Sequence, residues 1–165
     1  MENTLKVINE LQNEGLIKNY AIGGAIASIF YIEPITTYDL DVMIILEEDD
    51  KSLISLSPIY SWLSKKGYKT EKEHVIIEGI PVQFLPVYNE LIKDAVINSE
   101  EKKYKDIITY VIKPEYQIAI MLDTYRAKDR ERITRFLEEA ELDLNYLDNI
   151  LSKYKLKEKF KNLKK

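Results

Sequence analysis

The stretch YAIGGAIASIFYIEPITTYDLDVMIIL, Tyr20 to Leu46, decides the fold. It sets a Gly pair, Gly23-Gly24, at the end of one apolar run and two aspartates, Asp39 and Asp41, at the mouth of the next. Leu40 to Leu46 is apolar at every position but Asp41, which predicts a strand covered on both faces. In an extended strand the side chains at i and i+2 point the same way, so Asp39 and Asp41 should stand side by side while Leu40 and Val42 face the opposite layer. Upstream, a short strand ends at Ile22. Ala25 to Tyr31 reads as a helix opening directly after the glycines, with Pro34 preventing a long run.

Outward from this stretch, both helical and strand periods appear. Leu5, Ile8 and Leu11 recur at helical spacing, with Asn3 or Thr4 as cap and Gly15 as stop. Ser57 reads as an N-cap with Pro58 at the first helical position, and Tyr60, Leu63 and Gly67 fit an amphipathic helix and its end. In HVIIEGIPVQFLP, Glu78-Gly79 separates two apolar runs, which predicts a two-residue hairpin pairing His74–Ile77 with Ile80–Gln83. Tyr88 to Ile97 reads as a helix and Ile107 to Ile112 as a last strand. Beyond Pro114 the pattern is helical: Glu115 to Leu122, Arg130 to Ala140, then a stripe of Leu144, Leu147, Ile150, Leu151 and Tyr154. The expected organisation is an α/β core over residues 1–112, a mixed sheet flanked by helices, followed by a helical bundle over 113–165.

Composition bounds the function. With 165 residues and 45% hydrophobic content the chain is of globular type, sized for one ordinary domain. Its 24 Lys+Arg against 28 Asp+Glu, a net charge of -4, disfavour indiscriminate nucleic-acid binding but leave room for a local basic patch. There is no cysteine, hence no disulfide framework and no thiolate chemistry. The start, MENTLKVINE, lacks the basic and apolar regions of a signal peptide, and no apolar run approaches a bilayer span of about 20 residues. The expectation is a soluble cytoplasmic protein with no membrane partner.

Two parallel carboxylates form a hard-oxygen site suited to Mg²⁺ or Mn²⁺, and such an ion completed by substrate phosphates belongs to enzymes that handle nucleoside triphosphates. Gly23 and Gly24 suit the same chemistry, because bare backbone lets N–H groups approach phosphate and the following helix aims its N-terminus there. Each half has a plain alternative. Asp-Leu-Asp occurs by chance among this many acidic residues, and Gly-Gly is often only a turn. The combination of strand, Gly-Gly, helix and Asp-Leu-Asp-Val entering a buried strand is the more specific signal.

The order AIGGAIA, then TTYDLDVMI, resembles the nucleotidyltransferase superfamily that includes DNA polymerase β. The stretches KPEYQIAIMLDTYRAKDRERITRFL and LDLNYLDNILSKYKL resemble the helical portion of AbiEii-type and related nucleotidyltransferase-like proteins. The resemblance implies a mixed sheet flanked by helices, metal-binding aspartates at Asp39 and Asp41, and transfer of NMP from an NTP. The acceptor is open: RNA, a protein side chain or a small molecule. A toxin-antitoxin-like pairing with a cognate partner, or a nucleotide-binding module that has lost transfer, also fits it.

The departures from the family pattern are specific. The third carboxylate expected on a later strand falls in Val82-Gln83-Phe84, where Gln83 is neutral. Relatives tend to carry a lysine where Met121 stands, so cationic help for a triphosphate would come from Arg126, Lys128 or Arg130. The alternative for that run, which also includes Arg132, is a solvated helix face pairing with Asp129, Glu131 and Glu138. The hairpin places His74, the one histidine, opposite Gln83, as a substitute base or as an idle edge residue. The lysines from Lys153 to Lys165 could grip RNA phosphate or form a solvated, frayed end.

Overall fold

The structure is a computed structural model that describes residues 1–47 and 55–163. The acidic stretch Glu47 to Asp50 reads from the sequence as a solvated loop; of it only Glu47 lies within the described residues, and Lys164 and Lys165 also lie outside them.

The strands are β1 (Asn19–Ile22), β2 (Leu40–Ile45), β3 (Lys69–Glu71), β4 (His74–Ile77), β5 (Ile80–Pro86), β6 (Glu100–Tyr104) and β7 (Ile107–Val111). They form one sheet in the order β3-β4-β5-β2-β1-β7-β6. The sheet is mixed: β2 runs parallel to β5 and β1 parallel to β7, while β1–β2, β3–β4, β4–β5 and β6–β7 are antiparallel. The helices are α1 (Glu2–Asn13), α2 (Gly24–Ser28), α3 (Ser57–Lys65), α4 (Glu90–Ile97), α5 (Pro114–Thr124), α6 (Ala127–Glu139), α7 (Leu144–Lys153) and α8 (Lys157–Leu163).

Strand alternation divides the interior into two cores. Leu40, Val42 and Ile44 of β2, Val75 and Ile77 of β4, and Val82 and Phe84 of β5 face one side, against Leu5, Ile8 and Leu11 of α1 and Ile59 and Leu63 of α3. Ala21, Met43, Ile45 and Ile112 face the other side, against Leu91 and Ala95 of α4, Ile118 and Leu122 of α5, Phe136 of α6 and Leu147 of α7. The second core therefore draws on residues from both sides of position 113. Leu40, Val42 and Ile44 are fully buried, each such side chain contributing about 1.5–3 kcal/mol by leaving water. The apolar reading of β2 is thus explained by helices on both faces.

Several local expectations shift. The cap of α1 is Met1, not Asn3 or Thr4; Thr4 is buried and donates its hydroxyl to Ile77 O at 3.2 Å, a tie between α1 and the sheet. Ser57 is the first residue of α3 rather than its cap, and its N–H donates to Ser55 Oγ at 3.2 Å. The helix after the glycines is one turn, α2, followed by turns from Ile29 to Glu33. The chain beyond Lys153 continues as α8, tied back by Lys159 Nζ donating to Asp123 O at 3.1 Å and by Lys157 pairing with Asp148. The 74–83 hairpin has the expected register, Ile77 opposite Ile80, and Glu78 and Gly79 both take positive φ, 52° and 82°. That is the requirement of a type I′ turn.

Candidate functional site

The register of the sheet assembles the site. Parallel pairing sets Asp41 beside Gln83, and one step beyond Val75–Val82 brings His74 opposite Gln83. Because the flanking Leu40, Val42, Val75, Val82 and Phe84 face the first core, Asp39, Asp41, Gln83 and His74 share the opposite face, the one covered by α4 to α7. Asp39 stands just before β2, and its Oδ1 accepts from Thr37 Oγ at 3.0 Å.

Gly24 closes over Asp41. Its φ is +62°, in the left-handed region, and a β-carbon there would overlap the Asp41 carboxylate. The neighbouring Gly23 N–H donates to Asp41 O at 3.0 Å. Both glycines are thus built around Asp41. The short α2 supplies little macrodipole, so any anion at the Gly pair would be held by local backbone rather than by a long helix.

Burial pushes the Asp41 carboxyl above its ordinary range, and the Asp39 charge adds to the push; His74, Lys128 and Arg126 pull the other way. This is the signature of a carboxylate pair that a cation would stabilise. Among the described residues no group of three His, Cys, Asp or Glu side chains is arranged to enclose a metal ion. Asp39 and Asp41 could hold a hard divalent ion whose remaining positions are filled by ligand oxygens and water, with the neutral Gln83 amide nearby. The His74 Nε2 atom is shut off from solvent, has no hydrogen-bond partner among the described residues, and lies 3.7 Å from Asp39 Oδ2. A buried polar atom left unpaired costs about 1–3 kcal/mol, so this nitrogen is held where the fold gains nothing from it.

Asp41 and Gln83 border a cleft of about 330 Å³, while Asp39 and His74 stand behind them and are not among its lining residues. Gly23, Gly24, Asp41 and Gln83 line it together with apolar Met43, Leu85, Ile112, Ile120 and Met121 and with the exposed Tyr88. Met121, standing where a lysine was expected, belongs to this apolar lining. Polar residues from the end of α5, the turn and the first turns of α6 also line it: Thr124, Arg126, Asp129 and Arg132.

The cationic run divides by helix phase. Tyr125, with φ 50°, ends α5 and turns the chain into α6. Asp129, Ile133 and Phe136 then follow at i, i+4 and i+7 on the buried stripe of α6. Arg126 and Arg132 reach the cleft, and the Lys128 charge bears on Asp41. Arg130 stacks over the Tyr125 ring at 5.6 Å, while Arg132, not among the three cations singled out from sequence, is a cleft residue. Asp129, expected on a solvated face, is wholly buried and ion-paired to Arg126. The i, i+4, i+7 match with Ile133 and Phe136 was the signal that would have found it. Of the terminal lysines, Lys153 pairs with Asp94, Lys157 with Asp148 and Lys161 with Glu158.

No protein-family model matches the chain, and no curated protein matches it. Among solved structures it is similar to an antigenic nucleotidyltransferase-like protein from Paracoccidioides brasiliensis, with a TM-score of 0.55 and 14% identity, over 82% of this chain and 74% of that one. At such low identity the likeness is one of fold. The seven-stranded mixed sheet flanked by helices is a nucleotidyltransferase-like architecture. No helix among the described residues is long and apolar enough to cross a membrane.

Proposed function

We propose that this chain is a metal-dependent nucleotidyltransferase, moving a nucleoside monophosphate from an NTP to a hydroxyl of RNA, a protein or a small molecule. The observation that carries this reading is the fit of Asp41 beneath Gly24. A desolvated carboxylate, repelled by Asp39, is packed against a left-handed glycine whose missing side chain makes the room, in a cleft with cations on another wall. A structural strand cap has no need of that close approach. The nucleotidyltransferase-like fold is consistent with it but does not by itself assign an activity.

In this reading Asp39 and Asp41 hold Mg²⁺ or Mn²⁺, which would screen the triphosphate charge and polarise the α-phosphate. Gly23 and Gly24 let the phosphates lie against backbone, Arg126 and Lys128 balance their charge, and the apolar end near Met121 and Tyr88 takes the base. The acceptor oxygen forms a bond to the α-phosphorus, the bond to the bridging oxygen breaks, and pyrophosphate departs with those electrons. The hydroxyl proton passes to the Asp39–His74 pair. The finer likeness to AbiEii-type proteins, and with it a cognate partner protein, belongs to this proposal and rests on sequence resemblance.

One observation favours a second reading, a nucleotide-binding module without transfer: the residue in register with Asp41 is Gln83, which adds no charge to a metal site and accepts no proton. Both readings share a first test. Calorimetry with non-hydrolysable NTP should show binding that requires Mg²⁺ and that weakens in Asp39→Asn and Asp41→Asn. Equal affinity in EDTA and in Mg²⁺ would show that the carboxylates hold no metal and would overturn both. Labelled-NTP transfer assays then separate enzyme from module.

A further inference from the structure

Asp129 is a carboxylate with no exposure at all, and every one of its hydrogen bonds converges on the turn between α5 and α6. Its Oδ2 accepts from Arg126 N at 3.0 Å, Arg126 Nε at 2.8 Å and Thr124 Oγ at 2.8 Å. Its Oδ1 accepts from Arg126 Nη2 at 3.1 Å. Oδ2 thus serves as the cap of α6, binding the backbone of the N-cap residue. Oδ1 serves no cap. It completes a two-point grip on the guanidinium that a helix start does not require.

That grip fixes which edge of Arg126 faces the cleft. A guanidinium carries five N–H donors in a planar fork. Asp129 takes the Nε and one Nη2 donor, so those on Nη1 and the outer side of Nη2 point away from it. The Arg126 side chain is 59% exposed although its partner is fully buried, and it lines the cleft that holds Asp41. Arg132 stands on the same wall with no ion pair among the described residues. The Asp129 charge is already spent on Arg126, so the wall keeps its cationic character without a mobile arginine.

We propose that Asp129 is a positioning residue for nucleotide binding: it holds Arg126 so that the free edge of the guanidinium forms a fork for the terminal phosphates, and the site thereby distinguishes nucleoside triphosphates from monophosphates. The inference rests on the nucleotide reading above. It makes the arginine irreplaceable by lysine, because a point charge on a flexible stem keeps the sign and loses the two-edged geometry.

The test is calorimetry in Mg²⁺ with the non-hydrolysable α,β-methylene analogues of ATP, GTP, CTP and UTP and with the four monophosphates, on wild type, Asp129→Asn and Arg126→Lys. At least one triphosphate should bind wild type more tightly than its monophosphate. Both substitutions should cut that triphosphate affinity about tenfold, the scale of a charge-assisted hydrogen bond, and leave monophosphate affinity within about twofold. A purely structural role would weaken both ligands alike, and that result overturns the proposal, as does unchanged triphosphate affinity. A wild type that binds no triphosphate overturns the nucleotide reading and this inference together; binding that the variants retain overturns this inference alone. If Asp129→Asn does not fold, Arg126→Lys decides the outcome, since its ammonium still pairs with the buried carboxylate.

Discussion

The Asp41 carboxylate occupies the space that a β-carbon on Gly24 would need, and Gly24 holds a left-handed φ of +62°. Two costs therefore meet in Gly24→Ala: the left-handed strain of an L residue, about 1 kcal/mol, and the displacement of Asp41 from the cleft. The expected outcome is a modest fall in melting temperature together with loss of Mg²⁺-dependent nucleotide binding. Calorimetry and thermal melts measure both. Binding preserved in Gly24→Ala would mean that the position of Asp41 is not what the ligand reads.

Asp94 gives a pH-dependent prediction away from the cleft. Lys153 and Tyr154 hydrogen-bond its carboxylate and hold its pKa below the ordinary 3.8 against a smaller opposing push from burial, joining α4 to α7. A lowered folded value means stability that is fully present above about pH 4 and is lost as pH falls through that lower value. At neutral pH Asp94→Asn should cost about 1 kcal/mol, discounted because Lys153 is well exposed. Melts from pH 7 down to pH 2 should show the gap between wild type and variant closing below 3.8. A gap constant with pH would mean that the ion pair contributes nothing.

Tyr88 is 71% exposed and lines the cleft together with its apolar residues. Its backbone is anchored by the next residue, Asn89, whose side chain accepts from Ile92 N at 2.8 Å and caps α4. Tyr88→Ala should therefore leave the melting temperature unchanged. If the base stacks on this ring, nucleotide affinity falls about tenfold, within the roughly 1–3 kcal/mol of an aromatic–base stack. Unchanged affinity would remove the base from this ring.

What was legible in the sequence had a local cause. Glu78-Gly79 announced its hairpin because a two-residue turn demands left-handed residues between apolar runs, and β2 announced two covered faces by a run that is apolar at every position but Asp41. The unread strands are the two edges. Lys69–Glu71 is exposed throughout, and Glu100–Tyr104 is mostly charged, so neither shows an apolar period; each is made a strand by its paired neighbour. In the site, the i, i+2 spacing of Asp39 and Asp41 was readable from one strand, whereas the sorting of Arg126, Lys128, Arg130 and Arg132 was not. That sorting depends on where α6 begins, which the left-handed Tyr125 sets, and on the burial of Asp129, whose i, i+4, i+7 match with Ile133 and Phe136 carries weight only once that start is known.

The pairing of Gln83 with Asp41 makes the choice between enzyme and binding module a question about His74. A general base contributes about 10²–10⁴ in rate, and the register that brings a neutral amide beside Asp41 also brings His74 opposite that amide, with its Nε2 3.7 Å from Asp39. The expected outcome is that wild type transfers label from an NTP and that His74→Ala loses about 100-fold in kcat with NTP affinity within about twofold. Gln83→Glu adds a third anion beside an already strained pair, so it should tighten metal binding while destabilising the metal-free protein. A wild type without transfer that gains it on Gln83→Glu would show the reverse: His74 idle, and a nucleotide-binding chain held back by its missing carboxylate.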